Sequence, residues 1–416
     1  MKKIRLMRGV MMLLTCSAML LASCSDDDNG ADGGGGNPEP EKPVIPADAV
    51  DLSDKGTANC YIVSPGSVSV FDAEFKGNSA TESIGAAAQA KLIWQSAQSL
   101  VSEVSYFSDE KKIVVKTAEN ASGNAVVAAL DASGKVLWSW HLWVADYDPE
   151  TSLFTTVPNA SGTTWSFMDR NLGALTVERG SFDSNGMLYQ WGRKDPFPGT
   201  TAFTIMNEDY TYEVDGEPTV YDIDNKALAK FRSMIEYHGT IDKSVQSPMV
   251  FYAMTYKYTG EKDEYGNEIA ENDYKTGDWV DVSDDDYWGG ESGKKTIYDP
   301  CPVGYKVPVC DADGNTPYAW LTYDAMTWDD ANRGCEQDGQ WFPTTGTRVY
   351  ASGGLDYTEA SPYSGLWIGT KGAASSDLIT YPTLYGQYMF IVNGKRTFKM
   401  NKDRRSQGMS LRCVQE

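Results

Sequence analysis

Two short cysteine-bearing stretches constrain this chain more than any other feature: Ile297-Tyr-Asp-Pro-Cys-Pro-Val-Gly-Tyr-Lys-Val-Pro308 and Ser410-Leu-Arg-Cys-Val414. They bracket more than the last quarter of the sequence. Between them lie aromatic and Gly-rich segments with little helical period, so local propensity alone orders little of the region. A disulfide between Cys301 and Cys413 would close it into one domain. Over so long a loop, an unstrained bridge stabilises by about 4 kcal/mol in the chain-entropy model. The other reading is a pair of buried free thiols, and the compartment decides between the two.

The N-terminus speaks to the compartment. Lys2, Lys3, Arg5 and Arg8 precede an apolar run from Gly9 to Leu21, too short and wrongly flanked to span a membrane. The run ends in Leu21-Ala-Ser-Cys24. Small residues before a cysteine are the lipobox pattern of bacterial lipoproteins, in which residues 1–23 leave as a signal peptide and the Cys24 thiol is diacylated. The alternative is an ordinary signal peptide with an incidental Cys24. Ser25-Asp-Asp-Asp28 resembles the surface-export signal of Bacteroidetes lipoproteins, which implies an outer-membrane lipid anchor with the chain facing the exterior. Residues 24–49 are rich in Gly, Pro and acidic residues and cannot bury a core, so they read as a tether.

An exported chain meets an oxidising environment. Of seven cysteines, Cys16 leaves with the signal and Cys24 carries lipid. Cys60, Cys301, Cys310, Cys335 and Cys413 remain. We favour Cys301–Cys413 and Cys310–Cys335, although four cysteines allow three pairings. Cys60 lies in a strand-like run and reads as a buried free thiol.

Charge and composition exclude several function classes. The formal net charge of -22 argues against binding nucleic acid or an anionic membrane face by general electrostatics. Histidine is limited to His141 and His238, which weighs against a His-rich metal site or a Ser-His-Asp triad. No paired-carboxylate or nucleophile motif stands out. The expectation is a non-enzyme without a cofactor.

From residue 50 to 148 the pattern is β. Tyr61–Val63, Val68–Phe71, Lys91–Trp94, Val101–Phe107, Lys112–Lys116, Ala125–Leu130 and Val136–Val144 are short β-branched or alternating runs, separated by turn signals such as Pro65-Gly66 and Ser122-Gly-Asn124. Such spacing predicts a β-sandwich. In the last run, alternation puts Trp138, Trp140 and Leu142 on one face and Ser139, His141 and Trp143 on the other. So many tryptophans suit either a sugar-stacking platform or a strand buried at a junction, and we favour burial.

Residues 149–416 read as a second, loop-rich α+β domain, with an acidic insertion at about 204–295 whose polar stretch Glu261–Gly293 suits the surface. Ala227–Tyr237 and Tyr323–Gly334 are the helix candidates. Arg170, Arg193 and Lys194 stand beside Asp169 and Asp195, as internal ion pairs would. Asp311, Asp313 and Asn315 alternate as in the opening of a calcium loop, but the twelfth position holds Thr322 rather than glutamate, so a polar turn is favoured and no metal is expected.

Asp299–Pro308, Leu366-Trp-Ile-Gly-Thr370 and Gly408-Met-Ser-Leu-Arg-Cys-Val414 resemble the landmarks of the major paralogous (FISUMP-type) domain, which is related to C-type-lectin-like and formylglycine-generating-enzyme-like folds. Trp165–Ala174 and Leu188–Gly199 resemble its N-terminal half. Ala58–Val63 and Trp138–Tyr147 resemble the leading β-domain of Bacteroidetes fimbrillin-like surface lipoproteins. The resemblance implies a mainly β chain in which a β-sandwich is followed by a C-type-lectin-like α+β domain. It also implies a surface adhesin-like or pilus-tip protein whose partners are pilin subunits or a host or glycan ligand. The Glu-Pro-Asn, Gln-Pro-Asp and Trp-Asn-Asp motifs of calcium-dependent lectins are not found. A glycan-capture lipoprotein of a polysaccharide-uptake system is the alternative. Candidate ligand contacts are Tyr350, Tyr357, Tyr363, Trp367 and Tyr385, since Tyr and Trp give contact area at low entropic cost.

Overall fold

The computed structural model describes residues 44–416 apart from 204, 207–211, 214–216, 229–234, 237–238, 255–257, 263, 265, 267, 271–276, 359–361 and 376–382. The lipidation candidate Cys24, the signal and most of the tether lie outside the described residues. The described chain is mostly β, spread over several sheets. No described helix is long and apolar enough to cross a membrane.

Each strand-like run between residues 60 and 144 forms a strand. A short strand precedes them, and in chain order the eight are β1 (Val50–Asp51), β2 (Cys60–Val63), β3 (Val68–Asp72), β4 (Gln89–Gln95), β5 (Val101–Phe107), β6 (Lys112–Thr117), β7 (Gly123–Leu130) and β8 (Val136–Val144). They build two four-stranded sheets, β1-β3-β6-β5 and β2-β8-β7-β4. Most pairs are antiparallel, but β1 runs parallel to β3 and β2 parallel to β8. One apolar core joins the two sheets: Phe71, Ile113 and Val115 from the first meet Val127, Trp138 and Trp140 from the second.

β8 is buried on both faces. Trp138, Trp140 and Leu142 enter the core between the sheets. The other face turns to residues beyond 148: Trp143 packs with Trp191 and Trp367 in the largest cluster, and Ser139 and His141 bond to Asp195 and Tyr189. The alternation in sequence places these side chains correctly, and its tryptophans are core rather than platform. Cys60 also belongs to this largest cluster, which draws from both sides of residue 148.

Beyond 148 the strands are short and the pairings distant in sequence. Residues 305–306, 414–415, 166–167 and 154–155 form one four-stranded sheet in that order. The Cys301 motif therefore lies beside the Cys413 strand, with Tyr305 opposite Gln415 and Lys306 opposite Val414. A longer antiparallel sheet runs through Tyr363–Ser375, Thr383–Val392 and Thr397–Arg404.

Several expectations need correction. Tyr323–Gly334 is a turn leading into a hairpin, Thr327–Asp329 against Gly334–Gln337, because Arg333 takes a left-handed φ of 58° that reverses the chain. Within 227–237, Ala227 bridges Tyr221 and Ile235–Glu236 is a strand on Phe251–Tyr252, so tertiary pairing overrides helix propensity there; residues 229–234 and 237 lie outside the described residues. The described α-helix is α1, Ile241–Gln246, capped by Thr240. The end of the acidic stretch is not a surface insertion: Asp278, Trp279 and Trp288 are buried, and Arg405 reaches into it to bond Asp278 and Asp285.

Candidate functional site

The Cys301 motif folds around one carboxylate. Asp299 is fully buried and accepts from Cys301 N–H (2.8 Å), Val307 N–H (2.8 Å) and Lys295 Nζ (2.8 Å). Lys295 Nζ also donates to the carbonyls of Cys301 and Tyr305, at 2.9 and 2.6 Å. A loop wound this tightly leaves backbone groups that a ladder cannot reach, and one ion pair satisfies four of them. Asn59 ties the motif to the first region by donating to the carbonyls of Ile297 and Asp299. Pro302 bridges Cys60 on β2. The Cys301–Cys413 disulfide is present and spans 112 residues.

These connections leave a cavity of about 330 Å³ between the motif, β2 and the turn after residue 148. Ile62, Pro149, Pro302 and Val303 give it apolar walls, while Asp54, Asp148 and Glu150 stand among its lining residues. Asp148 caps the short 3-10 turn Pro149–Thr151 by accepting from Glu150 N–H. Tyr305 also lines the cavity; it is 4% exposed, and its hydroxyl has no hydrogen-bond partner. Burial, with Glu150 and Asp148 adding to it, pushes this phenol up to about 12. Tyr305 stays neutral and can accept a hydrogen bond. In the sequence the motif reads as a staple and nothing marks the tyrosine inside it; aromatic residues in a Gly/Pro-rich turn carry no sign of which one lacks a partner.

The candidate aromatics are scattered. Tyr357 and Trp367 are core residues, so neither can offer a contact surface; Trp367 Nε1 donates to the carbonyl of Tyr189 at 2.9 Å. Tyr363 is half-buried, with its hydroxyl on Asp356 at 2.8 Å. Tyr350 and Tyr385 are half-buried, and each is covered by a cation: the Arg404 guanidinium lies 4.1 Å from the Tyr350 ring and Lys402 Nζ 4.8 Å from Tyr385. Alternation and loop position do not reveal such covering partners.

Asp311, Asp313 and Asn315 form a turn, and three other turns share its bonding. Asp131, Asn159, Asp222 and Asp311 each accept, through a side-chain oxygen, the N–H groups two and four residues on, at 2.8–3.0 Å. The residue before the last in each, Gly134, Gly162, Asn225 or Gly314, is left-handed. Hydrogen bonds from Asn315, then Asn159, hold the Asp311 carboxyl down at about 2. Among the described residues no group of three or more His, Cys, Asp or Glu side chains is placed to share a metal.

The expected Cys310–Cys335 bridge is not formed; both thiols are free. Cys335 is held in the ladder between Trp328 and Phe342, and Cys310 N–H is tied to Thr370 Oγ1. Each sulfur ends in the same apolar cluster as a small hydrophobe. Burial pushes Cys335 up to about 12.

One buried group has the elements of nucleophile chemistry. Lys194 Nζ donates to Ser139 Oγ and, at 2.7 Å, to Asp195 Oδ1, which also accepts from Ser139. All three side chains are buried, and Lys194 lies 4.7 Å from the Trp138 ring. The serine proton points to a carboxylate and the lysine carries its charge into a salt bridge, so the arrangement locks β8 onto residues 194–195. No family model, curated protein or solved structure matches this chain.

Proposed function

We propose that this chain is a cell-surface lipoprotein, anchored through Cys24 in the outer membrane, that acts in adhesion or recognition without catalysis. The Leu21–Cys24 lipobox and the acidic Ser25–Asp28 tract support surface display. The two sheets sharing one core support a β-sandwich for residues 50–148, and the Cys301 motif paired with the Cys413 strand supports a C-type-lectin-like α+β fold for 149–416. The observation that carries recognition is the cavity at Tyr305. Its walls are apolar and Asp54, Asp148 and Glu150 stand among its lining residues, the mix of apolar wall and few polar groups that a binding cleft presents. Membership of a fimbrial assembly follows from the family resemblance.

The test is display and capture. The full chain, expressed in an outer-membrane host, should be shaved from intact cells by protease, and Cys24→Ser should abolish that exposure. Cells carrying the full chain should retain pilin subunits, host matrix or a glycan. Protection from protease on intact cells, or failure to retain any of these, sinks the reading. Retention of polysaccharide alone would favour glycan capture.

A further inference from the structure

The disulfide has a third sulfur beside it. Cys60, Cys301 and Cys413 belong to one buried cluster, whereas the free thiols Cys310 and Cys335 belong to another. Side chains alternate along β2: Tyr61 and Val63 enter the core between the sheets, while Cys60 and Ile62 face the residues beyond 148. There Cys60 pairs in parallel with Pro302, the residue after Cys301. Paired strands lie about 4.8 Å apart and successive residues about 3.3 Å along a strand, which sets the Cα atoms of Cys60 and Cys301 about 6 Å apart. Disulfides span roughly 4.4–6.8 Å between Cα atoms, and the Cys301–Cys413 pair itself spans 6.0 Å.

The contacts that hold Cys301 near Cys60 do not involve Cys413. Asn59 donates to the carbonyls of Ile297 and Asp299 at 2.7 and 2.8 Å, and the Trp138 indole N–H, donating to Asn59 Oδ1 at 2.9 Å, turns the amide nitrogen towards the motif. Asn78 donates to the carbonyl of Lys295 at 3.1 Å. Gly77 lies so close to Ile297 that a Cβ there would stand 2.5 Å from the carbonyl oxygen. Lys295 and Asp299 close the loop from within. The Cys413 strand adds separate partners, with Val414 opposite Phe167 and the Cys413 carbonyl accepting from Met168 N–H. Residues 59–138 and the motif are therefore enough to bring two thiols together.

We propose that Cys60 is a holding thiol for Cys301, pairing with it in a transient disulfide that Cys413 then resolves. In the first step the two thiols give up two protons and two electrons to an oxidant of the disulfide class, which is reduced to two thiols. In the second, the Cys413 thiolate attacks Cys301 Sγ, the Cys60–Cys301 bond breaks, and Cys60 leaves as a thiolate and takes up a proton; this exchange consumes no oxidant. The finished fold takes Cys60 out of play, because it is fully buried and burial raises its pKa well above the ordinary thiol range. The thiolate is the nucleophile in exchange, so attack by Cys60 on the mature disulfide is suppressed. Holding Cys301 in this way keeps it from Cys310 and Cys335, whatever the protein recognises at the surface.

Cys413→Ala in the full chain removes the resolving nucleophile. After refolding in a mixture of oxidised and reduced glutathione, peptide mapping without reduction should find most Cys301 linked to Cys60. Cys301 found mainly free, capped by glutathione or linked to another cysteine overturns the proposal. The parent chain supplies a test that does not depend on the variant folding. Samples quenched with acid, which protonates thiolates and halts exchange, should show the Cys60–Cys301 species rise early and fall as Cys301–Cys413 appears. A native disulfide that forms with no Cys60–Cys301 species at any time overturns the proposal as well. Cys60→Ala should still reach Cys301–Cys413, but with a larger early share of Cys301 held by glutathione, Cys310 or Cys335. An early share equal to the parent's makes Cys60 a packing residue and nothing more.

Discussion

The two regions on either side of residue 148 bury different things. Among the described residues from 50 to 148, the buried polar side chains are uncharged types and one histidine. Beyond 148, Arg193, Lys194, Asp195, Glu217, Asp278, Asp299, Arg348, Arg405 and Arg412 are all buried. The difference follows from the backbone. Long ladders satisfy their own N–H and C=O groups, so β6 and β7 can fill the core with Val, Ile and Ala. Short strands joined by buried loops leave carbonyls without partners, and a guanidinium with five donors can meet several at once. Arg193 donates to the carbonyls of Val250 and Pro248. Arg348 donates to those of Pro198 and Gly353 and to Glu217. Arg405 and Arg412 reach Asp284 and Trp341 in the same way. In this molecule the loop-rich region is held by buried cations where the strand-rich region is held by its ladders.

The contrast can be broken most directly at Arg348. Arg348→Met strands the Glu217 carboxylate and two carbonyls, and should cost about 4 kcal/mol or more, read as a drop in the urea midpoint. A loss under about 1 kcal/mol would mean that the buried cations are not what holds the loops. Removing the disulfide as Cys301→Ala with Cys413→Ala should cost about 4 kcal/mol, given the length of the closed loop. The loss should be measurable by the same denaturation with the parent kept oxidised, and a parent and variant that unfold together would reduce the staple to a decoration.

The strand-rich side has its own acid sensor. His141, between Asn124 Oδ1 at 2.8 Å and Tyr189 Oη at 3.3 Å, is driven by burial down to about 3. The unfolded histidine titrates near 6.5, so the unfolded chain takes up the proton first. Stability from this group is fully present above that pH and declines as pH falls towards 3. Between pH 7 and pH 5 the loss should be about 2 kcal/mol. Urea midpoints over that range should slope in the parent and flatten in His141→Asn; parallel curves would remove His141 as the cause. The smallest effect is expected at Ile113→Val, where an apolar core loses one methylene at about 1 kcal/mol. A cost there as large as at Arg348 would erase the distinction between the regions.

The same contrast sets what the sequence could reveal. Strands from Cys60 to Val144 were legible because period-2 alternation and turn residues are local signals, and the two faces of Trp138–Trp143 could be assigned from them. The Cys301–Cys413 bond was legible from its two flanking motifs. The helix expected over Tyr323–Gly334 failed because its pairing partners, including Gln340–Pro343, outweigh propensity. Burial of Trp279 and Trp288 in an acidic stretch was hidden because Arg405, more than a hundred residues away, supplies the countercharge. The alternating Asp311–Asn315 pattern is shared by a turn and a metal loop until the hydrogen bonds are known. Tyr305 was hidden because an unpaired hydroxyl is a property of its surroundings.

The placement of Val414–Gln415 also orders events in time. This strand lies inside its sheet, between Tyr305–Lys306 and Ser166–Phe167. A ribosome delivers Phe154, Ser166 and Tyr305 long before it delivers Val414. The two-stranded pairing of residues 154–155 with 166–167 can form early, but the motif strand must wait for the last member before it has a neighbour. Lys306 and its surroundings therefore stay unzipped while about a hundred further residues are made, and Cys301 stays available to other thiols until Cys413 arrives to claim it.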